Sequence, residues 1–249
     1  MTKTTKQKPA LIFIHGFRGS PLGLTWLLEH FSDYQVFAPN IPPFGDCTPL
    51  ERYDVEHYVN FIIQFIKKNH LEKPILIGHS MGSIIVAAIA AQYPNLIDSR
   101  IFLLSPISKR PAIFFRLLQP LVIFLPNHIL SYASTKFLYV QHPTKHTKQF
   151  FKQILDLTHR CAAKYTSRQD VLAATIFSTR HSISDFNFHP QQKIILISGQ
   201  TDRLIPRKNT DALAHSIHAA SYYIPHSGHL INYEAPAELA KLIKKHLFN

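Results

Sequence analysis

Ser80 stands in Gly78-His79-Ser80-Met81-Gly82, a G-x-S-x-G spacing set between the apolar run Ile75-Leu76-Ile77 and the alanine-rich stretch Ile84-Ile85-Val86-Ala87-Ala88. A serine hydroxyl becomes a useful nucleophile where a sharp strand-to-helix turn lifts it out of a sheet and a base stands beside it. The flanks supply that turn: a strand before, a helix after. Gly78 and Gly82 carry no Cβ, so strand and helix can approach closely behind the serine. The start of the helix turns unpaired N–H groups and the positive end of its dipole toward any negative charge that forms there. The spacing and its context point to nucleophilic catalysis. A glycine-lined turn displaying an ordinary serine is the alternative that the five residues alone leave open.

The elements that must position such a residue follow from the rest of the chain. Ala10-Leu11-Ile12-Phe13-Ile14 is a continuous apolar run of strand length, as expected for a strand covered on both faces. After His15-Gly16-Phe17, Ser20-Pro21 makes a helix start, with Leu24, Leu27, Leu28 and Phe31 at helical spacing. Tyr34 to Ala38 reads as a short strand stopped by Pro39, and residues 40–49 as a proline-rich loop. Val55 to Asn69 is an amphipathic helix with Tyr58, Phe61, Ile62, Phe65 and Ile66 on one face. Further strands are expected at Arg100 to Ser105, Lys193 to Ser198 and Tyr222 to Pro225, with helices at Asp170 to Thr179, Arg207 to His218 and Pro236 to Leu247. This alternation predicts an α/β fold: a doubly wound, mostly parallel sheet with helices on both faces. In such sheets the site forms at the carboxyl ends of the strands. Four loops there carry candidate chemistry: residues 15–17, Ser80, Asp202 and His229.

With those four loops in place, the sequence resembles the α/β-hydrolase superfamily over nearly its whole length outside one inserted segment. Ser80, Asp202 and His229 reproduce the family order of nucleophile, acid and histidine. Gly199 to Pro206 resembles the family's G-x-x-D-x-x-x-P loop, and Ser227-Gly228-His229 resembles the S-G-H before its last helix. His15-Gly16-Phe17 resembles the H-G-x loop, which implies that the backbone N–H groups of Phe17 and Met81 form the oxyanion hole. The sequence opens almost directly on the H-G strand, so the family's usual first hairpin is expected to be absent, which implies six strands, and Ser83 stands where a glycine is common. The chemistry so implied is acyl transfer: His229 takes the Ser80 proton, Asp202 orients and charge-stabilises the ring, and two N–H donors meet the oxyanion. It requires neither a metal nor an organic cofactor. His226 is the rival base and Asp185 and Asp98 the rival acids, with the flanks favouring His229, whose loop Gly228 lets turn back, and Asp202. His79 and His15 are expected to pack and shape their loops, Arg203 to be solvated, and Cys47 to be inert.

Residues 1–106 and 169–249 are thus read as the core and 107–168 as an inserted α-helical cap, made of short helices and loops among Pro111, Pro120, Pro126 and Pro143. Its apolar stretch Ile113 to Pro126 is too short and too interrupted by Arg116, Gln119 and Pro120 to span a membrane, and is expected to line an acyl-sized pocket. The chain has a net charge of +12, and residues 107–190 hold eleven Lys and Arg against three Asp, so the basic character belongs mainly to this region. A solvated basic surface is the simplest meaning, with weak association to an anionic membrane surface as a further expectation. No nucleic-acid motif accompanies the charge. Two cysteines exclude a disulfide framework, and the absence of a signal-peptide pattern in the first residues makes the cytoplasm the expected compartment. The expected activity is hydrolysis of a carboxylic ester with an apolar acyl group, in the manner of a carboxylesterase or monoacylglycerol lipase. Alternatives are a carbon–carbon bond hydrolase of ring-cleavage products, an acyltransferase, an aminopeptidase-like amidase, and a non-catalytic ligand-binding receptor. Oligomeric state is not readable from the sequence.

Overall fold

The computed structural model describes residues 8–110, 125–139 and 145–247, with 145–150 as helix backbone only. Six strands form one sheet: β1 (Leu11–Ile14), β2 (Val36–Phe37), β3 (Ile75–His79), β4 (Arg100–Leu104), β5 (Lys193–Gly199) and β6 (Ala220–Ile224). The order is β2-β1-β3-β4-β5-β6, and every pairing is parallel. The sheet expected to be mostly parallel is therefore wholly so. Each crossover needs a helix-length connection, which the chain supplies between every pair of strands.

The central strands are buried on both faces, and their side chains divide by the period of two. Ile12, Ile14, Leu76, Ile101, Leu103, Ile194 and Leu196 enter one core cluster. Leu11, Phe13, Ile75, Ile77, Phe102, Leu104, Ile195 and Ile197 enter the other. This explains why the strands read as unbroken apolar runs. The short α1 (Thr25–Leu28) begins the helical series, flanked by 3-10 turns at Pro21–Leu24 and Glu29–Phe31. Ser20 is extended and makes no side-chain cap, so Pro21 alone sets the turn that the Ser-Pro pair predicts as a helix start. α2 (Val55–Lys68) matches its expected span, and Asp54 caps it by accepting from His57 N–H. α3 (Met81–Gln92) is buried from Met81 through Ala90, as a helix apolar all round must be.

Between β4 and β5 lie α4 (Asn127–Leu138), α5 (Lys145–Ala163) and α6 (Arg168–Arg180). The expectation of short helices fails at α5, which runs 19 residues. Among the described residues Pro126 sits at the start of α4, and no proline interrupts α5 or α6. Ile154, Leu157 and Cys161 line up on α5 and join Tyr139, Leu230 and Tyr233 in a separate cluster that seats the insertion on the core. Its end is tied down by backbone bonds from Gly45 N–H to Lys164 O and from Thr166 N–H to Pro43 O. The apolar stretch Ile113 to Pro126, expected to line a pocket, falls mostly outside the described residues. α7 (Arg207–Ser216), the four-residue α8 (Ile231–Glu234) and α9 (Pro236–Leu247) complete the chain. No helix among the described residues is long and apolar enough to cross a membrane.

The strand order changes direction between β1 and β3, because β2 lies on one side of β1 and β3 on the other. Ligand crevices of doubly wound sheets form at this switch point, outside the carboxyl ends. β1 leads there into His15 and β3 into Ser80.

Candidate active site

Ser80 occupies the elbow between β3 and α3 at φ 52° and ψ −118°, a left-handed region that an L residue adopts only when its surroundings enforce it. Here Ser80 N–H donates to Leu104 O on β4, and Ser83 N–H and Oγ both donate to Ser80 O. A Cβ on Gly82 would collide with the Ile14 carbonyl, and one on Gly78 with the Gly82 carbonyl, so the turn is possible only with glycine at both places. Ser83, noted as a departure from the family's glycine, is wholly buried and also accepts from Ile107 N–H, which joins the elbow to the first residues of the insertion.

His229 and Asp202 arrive from two other strand ends. Ser80 Oγ donates to His229 Nε2 at 2.9 Å, and His229 Nδ1 donates to Asp202 Oδ2 at 2.8 Å. The carboxylate can only accept, which places the ring proton on Nδ1 and leaves the Nε2 lone pair facing the serine. Asp202 Oδ1 accepts from the N–H groups of Leu204 and Ile205, both at 2.9 Å, which leaves Oδ2 for the histidine. The loops that carry Asp202 and His229 touch because Gly199 lets the Gly228 carbonyl lie against the end of β5. All three side chains are largely removed from water, with exposures of 8% for Ser80, 6% for Asp202 and 2% for His229.

The rivals are elsewhere. His226 is solvent-exposed. Asp185 pairs with Arg110 at 2.9 Å and Asp98 with Arg100 at 2.8 Å. The residue that reverses the histidine loop is His226 at φ 54°, not Gly228 as the sequence suggests. Arg203 is exposed, and burial pushes the partly buried Cys47 thiol upward, away from thiolate character.

Three residues that hold His229 escape sequence reasoning. His79 Nε2 donates to His229 O at 2.9 Å, and Ser105 Oγ donates to the same carbonyl at 3.1 Å. Glu234 accepts from the N–H groups of Gly228 and Leu230. His229 N–H donates to Leu138 O at the end of α4, so the insertion also braces the histidine loop. The only sequence signal for Ser105 is a polar residue ending an apolar strand; for Glu234 there is none.

On the opposite side, the Gly16 backbone lies so close to Ser80 that a Cβ on it would approach the Ser80 Cβ to 3.0 Å. His15 fixes this loop as expected: Ile41 N–H donates to Nε2 and Nδ1 donates to Gly16 O, each at 2.9 Å. No hydrogen bond among the described residues uses the Phe17 N–H, and Met81 opens α3, where the first N–H groups have no intrahelical acceptor. Among the described residues no cluster of His, Cys, Asp and Glu has the makings of a metal site.

Burial holds His15 near a pKa of about 4 and His79 near about 3, the latter lowered further by His229. Both are neutral in the fold at pH 7 but would take up protons in the unfolded chain below about pH 6.5. Stability is therefore expected to fall by up to about 2.7 kcal/mol per pH unit between pH 6 and pH 4.5, where the unfolded state binds two protons that the native state refuses. Urea unfolding at pH 7, 6, 5 and 4.5 checks this, and a flat profile would show that the two rings are protonated in the fold.

A family model described as the alpha/beta hydrolase fold matches residues 9–236. The uncharacterized hydrolase YugF of Bacillus subtilis is 24% identical over 96% of this chain and 89% of its own length. A putative esterase/lipase of Mycoplasma genitalium is 30% identical, over 43% of this chain and 41% of its own length. A thermophilic esterase from Thermogutta terrifontis, solved with malate bound, superposes with a TM-score of 0.82 at 17% identity, covering 97% of this chain and 90% of that one. The strand order, the insertion between β4 and β5, the elbow and these matches agree: the chain belongs to the alpha/beta hydrolase fold family.

Proposed function

We propose that the chain is a serine hydrolase that cleaves a carboxylic ester with an apolar acyl group through an acyl-enzyme. The observation that carries this reading is the run of hydrogen bonds from Ser80 Oγ through His229 to Asp202. As Oγ attacks the ester carbonyl, His229 Nε2 takes the hydroxyl proton, and the imidazolium that forms faces the buried Asp202 carboxylate. Negative charge gathers on the carbonyl oxygen, where the Phe17 and Met81 N–H groups meet it. Collapse expels the alcohol, protonated by His229, and leaves the acyl group on Ser80. Water then attacks by the same route, activated by the same nitrogen, and releases the acid. Every step is a proton or acyl transfer among these groups and water.

The apolar-acyl preference is supported by a cavity of about 250 Å³ beside the oxyanion loop, whose lining includes Leu24, Leu130, Leu138 and Leu230. Lengthening a p-nitrophenyl ester from acetate to octanoate adds six methylenes, each contributing at most about 0.8 kcal/mol when buried. With imperfect fit, roughly 2 to 3 kcal/mol of that reaches the transition state, a gain of about 30- to 100-fold in kcat/KM. Steady-state kinetics across the series tests it. Flat or falling kcat/KM removes the acyl-pocket reading, and turnover of a ring-cleavage dienoate without ester turnover would move the assignment to carbon–carbon bond hydrolysis.

A further inference from the structure

Arg18 follows the oxyanion residue Phe17 directly and lines the same cavity. Its φ of 57° turns the chain so that the side chain runs toward the first turn of α4. There Nη2 donates to Ser131 Oγ at 3.1 Å and to Asn127 O at 3.4 Å, and Nη1 donates to Asn127 Oδ1 at 3.5 Å. All three acceptors are neutral, and all three distances exceed the roughly 2.7–2.9 Å of a charge-assisted pair. Every one of the chain's 15 Asp and Glu residues lies in the described segments, and none pairs with Arg18.

A largely buried cation without a counter-ion is costly. This one also stands at a helix N-terminus, the end whose dipole favours an anion, and α4 has no side-chain cap there. Burial pulls the guanidinium down to about 10, which still leaves it charged at neutral pH. Asn232 borders the same cavity. Asn232 is 3% exposed and gives its amide N–H to Gly23 O, while its Oδ1 has no partner among the described residues. The cavity thus presents a cation that no acid of the chain answers, set among leucines and the hydroxyls of Ser131, Ser134, Thr135 and Thr158.

We propose that Arg18 binds an anionic group, a carboxylate or a phosphate, carried by the ester substrate in the cavity between α4 and the loop of residues 16–20. The substrate class is then an amphipathic ester: an apolar acyl chain with an acid on the acyl or the alcohol side. This deepens the esterase reading and rests on it.

Two matched pairs separate the sources. The half-ester p-nitrophenyl glutarate is compared with its neutral amide, p-nitrophenyl glutaramate, and 1-butyrylglycerol 3-phosphate with 1-butyrylglycerol. The charged member of at least one pair is expected to show about 30-fold higher kcat/KM, the scale of a charge-assisted hydrogen bond. Which pair responds tells carboxylate on the acyl side from phosphate on the alcohol side. In Arg18→Met the charged-to-neutral ratio should fall to near one, with Arg18→Lys intermediate because it keeps the charge without the planar fork. A ratio near one in both pairs for the wild-type protein, or a ratio that survives Arg18→Met, overturns the proposal. Parallel losses for charged and neutral members, with the ratio kept, would show that Arg18 only braces α4. Calorimetry on Ser80→Ala, which keeps Arg18, reads the same site without turnover: glutarate should bind more tightly than glutaramide, or glycerol 3-phosphate more tightly than glycerol. Neutral preference in both comparisons overturns the Arg18 inference even if the protein folds poorly without that arginine. Absence of ester turnover alongside anion binding would instead overturn the esterase reading.

Discussion

Ser80→Ala is expected to lower kcat for a p-nitrophenyl ester by about five to six orders of magnitude and to abolish covalent labelling by a fluorophosphonate. The size of the loss follows from the geometry. Without Oγ, the Nε2 lone pair of His229, held 2.9 Å from that oxygen, has no proton to take, and the covalent route closes. What remains is binding next to the Phe17 and Met81 N–H groups, enough for a residual of roughly 10³- to 10⁴-fold over water. The elbow should survive the change, because Ser80 N–H and its carbonyl, not the hydroxyl, make the bonds to Leu104 and Ser83. Intact-mass spectrometry after labelling, with thermal unfolding as the fold control, checks both halves. Labelling that persists in the variant would move the nucleophile elsewhere.

The parts of this site that the sequence makes legible are those where one residue type is sterically required. Gly78 and Gly82 are compelled by backbone contacts a Cβ would prevent, so the elbow is written in five letters. The central strands are legible because burial on both faces keeps their interiors almost wholly apolar, with His79 and Ser198 only at the carboxyl ends of β3 and β5. The edge at β2 is less so: Tyr34 to Ala38 reads as a strand, yet only Val36 and Phe37 pair with β1. The length of α5 is hidden because the prolines scattered through the insertion suggest breaks along all of it, although the stretch from Thr144 to Ala163 has none and repeats apolar residues at Phe151, Ile154, Leu157 and Cys161. Residues that act on the histidine loop from a distance carry no local mark. His79 and Ser105 reach the His229 carbonyl from β3 and from the end of β4, a convergence that exists only once the sheet has formed. Arg18 is similar. Its isolation from acids depends on where all fifteen of them end up, and no window of sequence contains that information.

Asp202→Asn is expected to reduce kcat by about 10⁴ with little change in KM. The local hydrogen bonds leave the amide no harmless orientation. Oδ1 already accepts from the N–H groups of Leu204 and Ile205, so the asparagine oxygen is drawn to that position and its NH₂ is turned toward His229 Nδ1. A donor there requires Nδ1 to become an acceptor, which moves the ring proton to Nε2. Nε2–H then points at Ser80 Oγ and can no longer receive its proton. The opposite flip keeps the histidine tautomer but sets two donors of the asparagine against two backbone N–H groups, in a pocket where the side chain is fully removed from water. Either way the imidazolium also loses the charge that stabilises it as attack proceeds. Because Asp202 touches the ring and not the acyl cavity, the loss belongs in kcat, and the rate of fluorophosphonate labelling should fall in parallel. Asp185→Asn, which loosens the pairings with Arg110 and His181 and the turn at Ser182, supplies the contrast. A kcat for Asp202→Asn within tenfold of the unmodified protein, or a larger loss in Asp185→Asn, would take the acid's role away from Asp202.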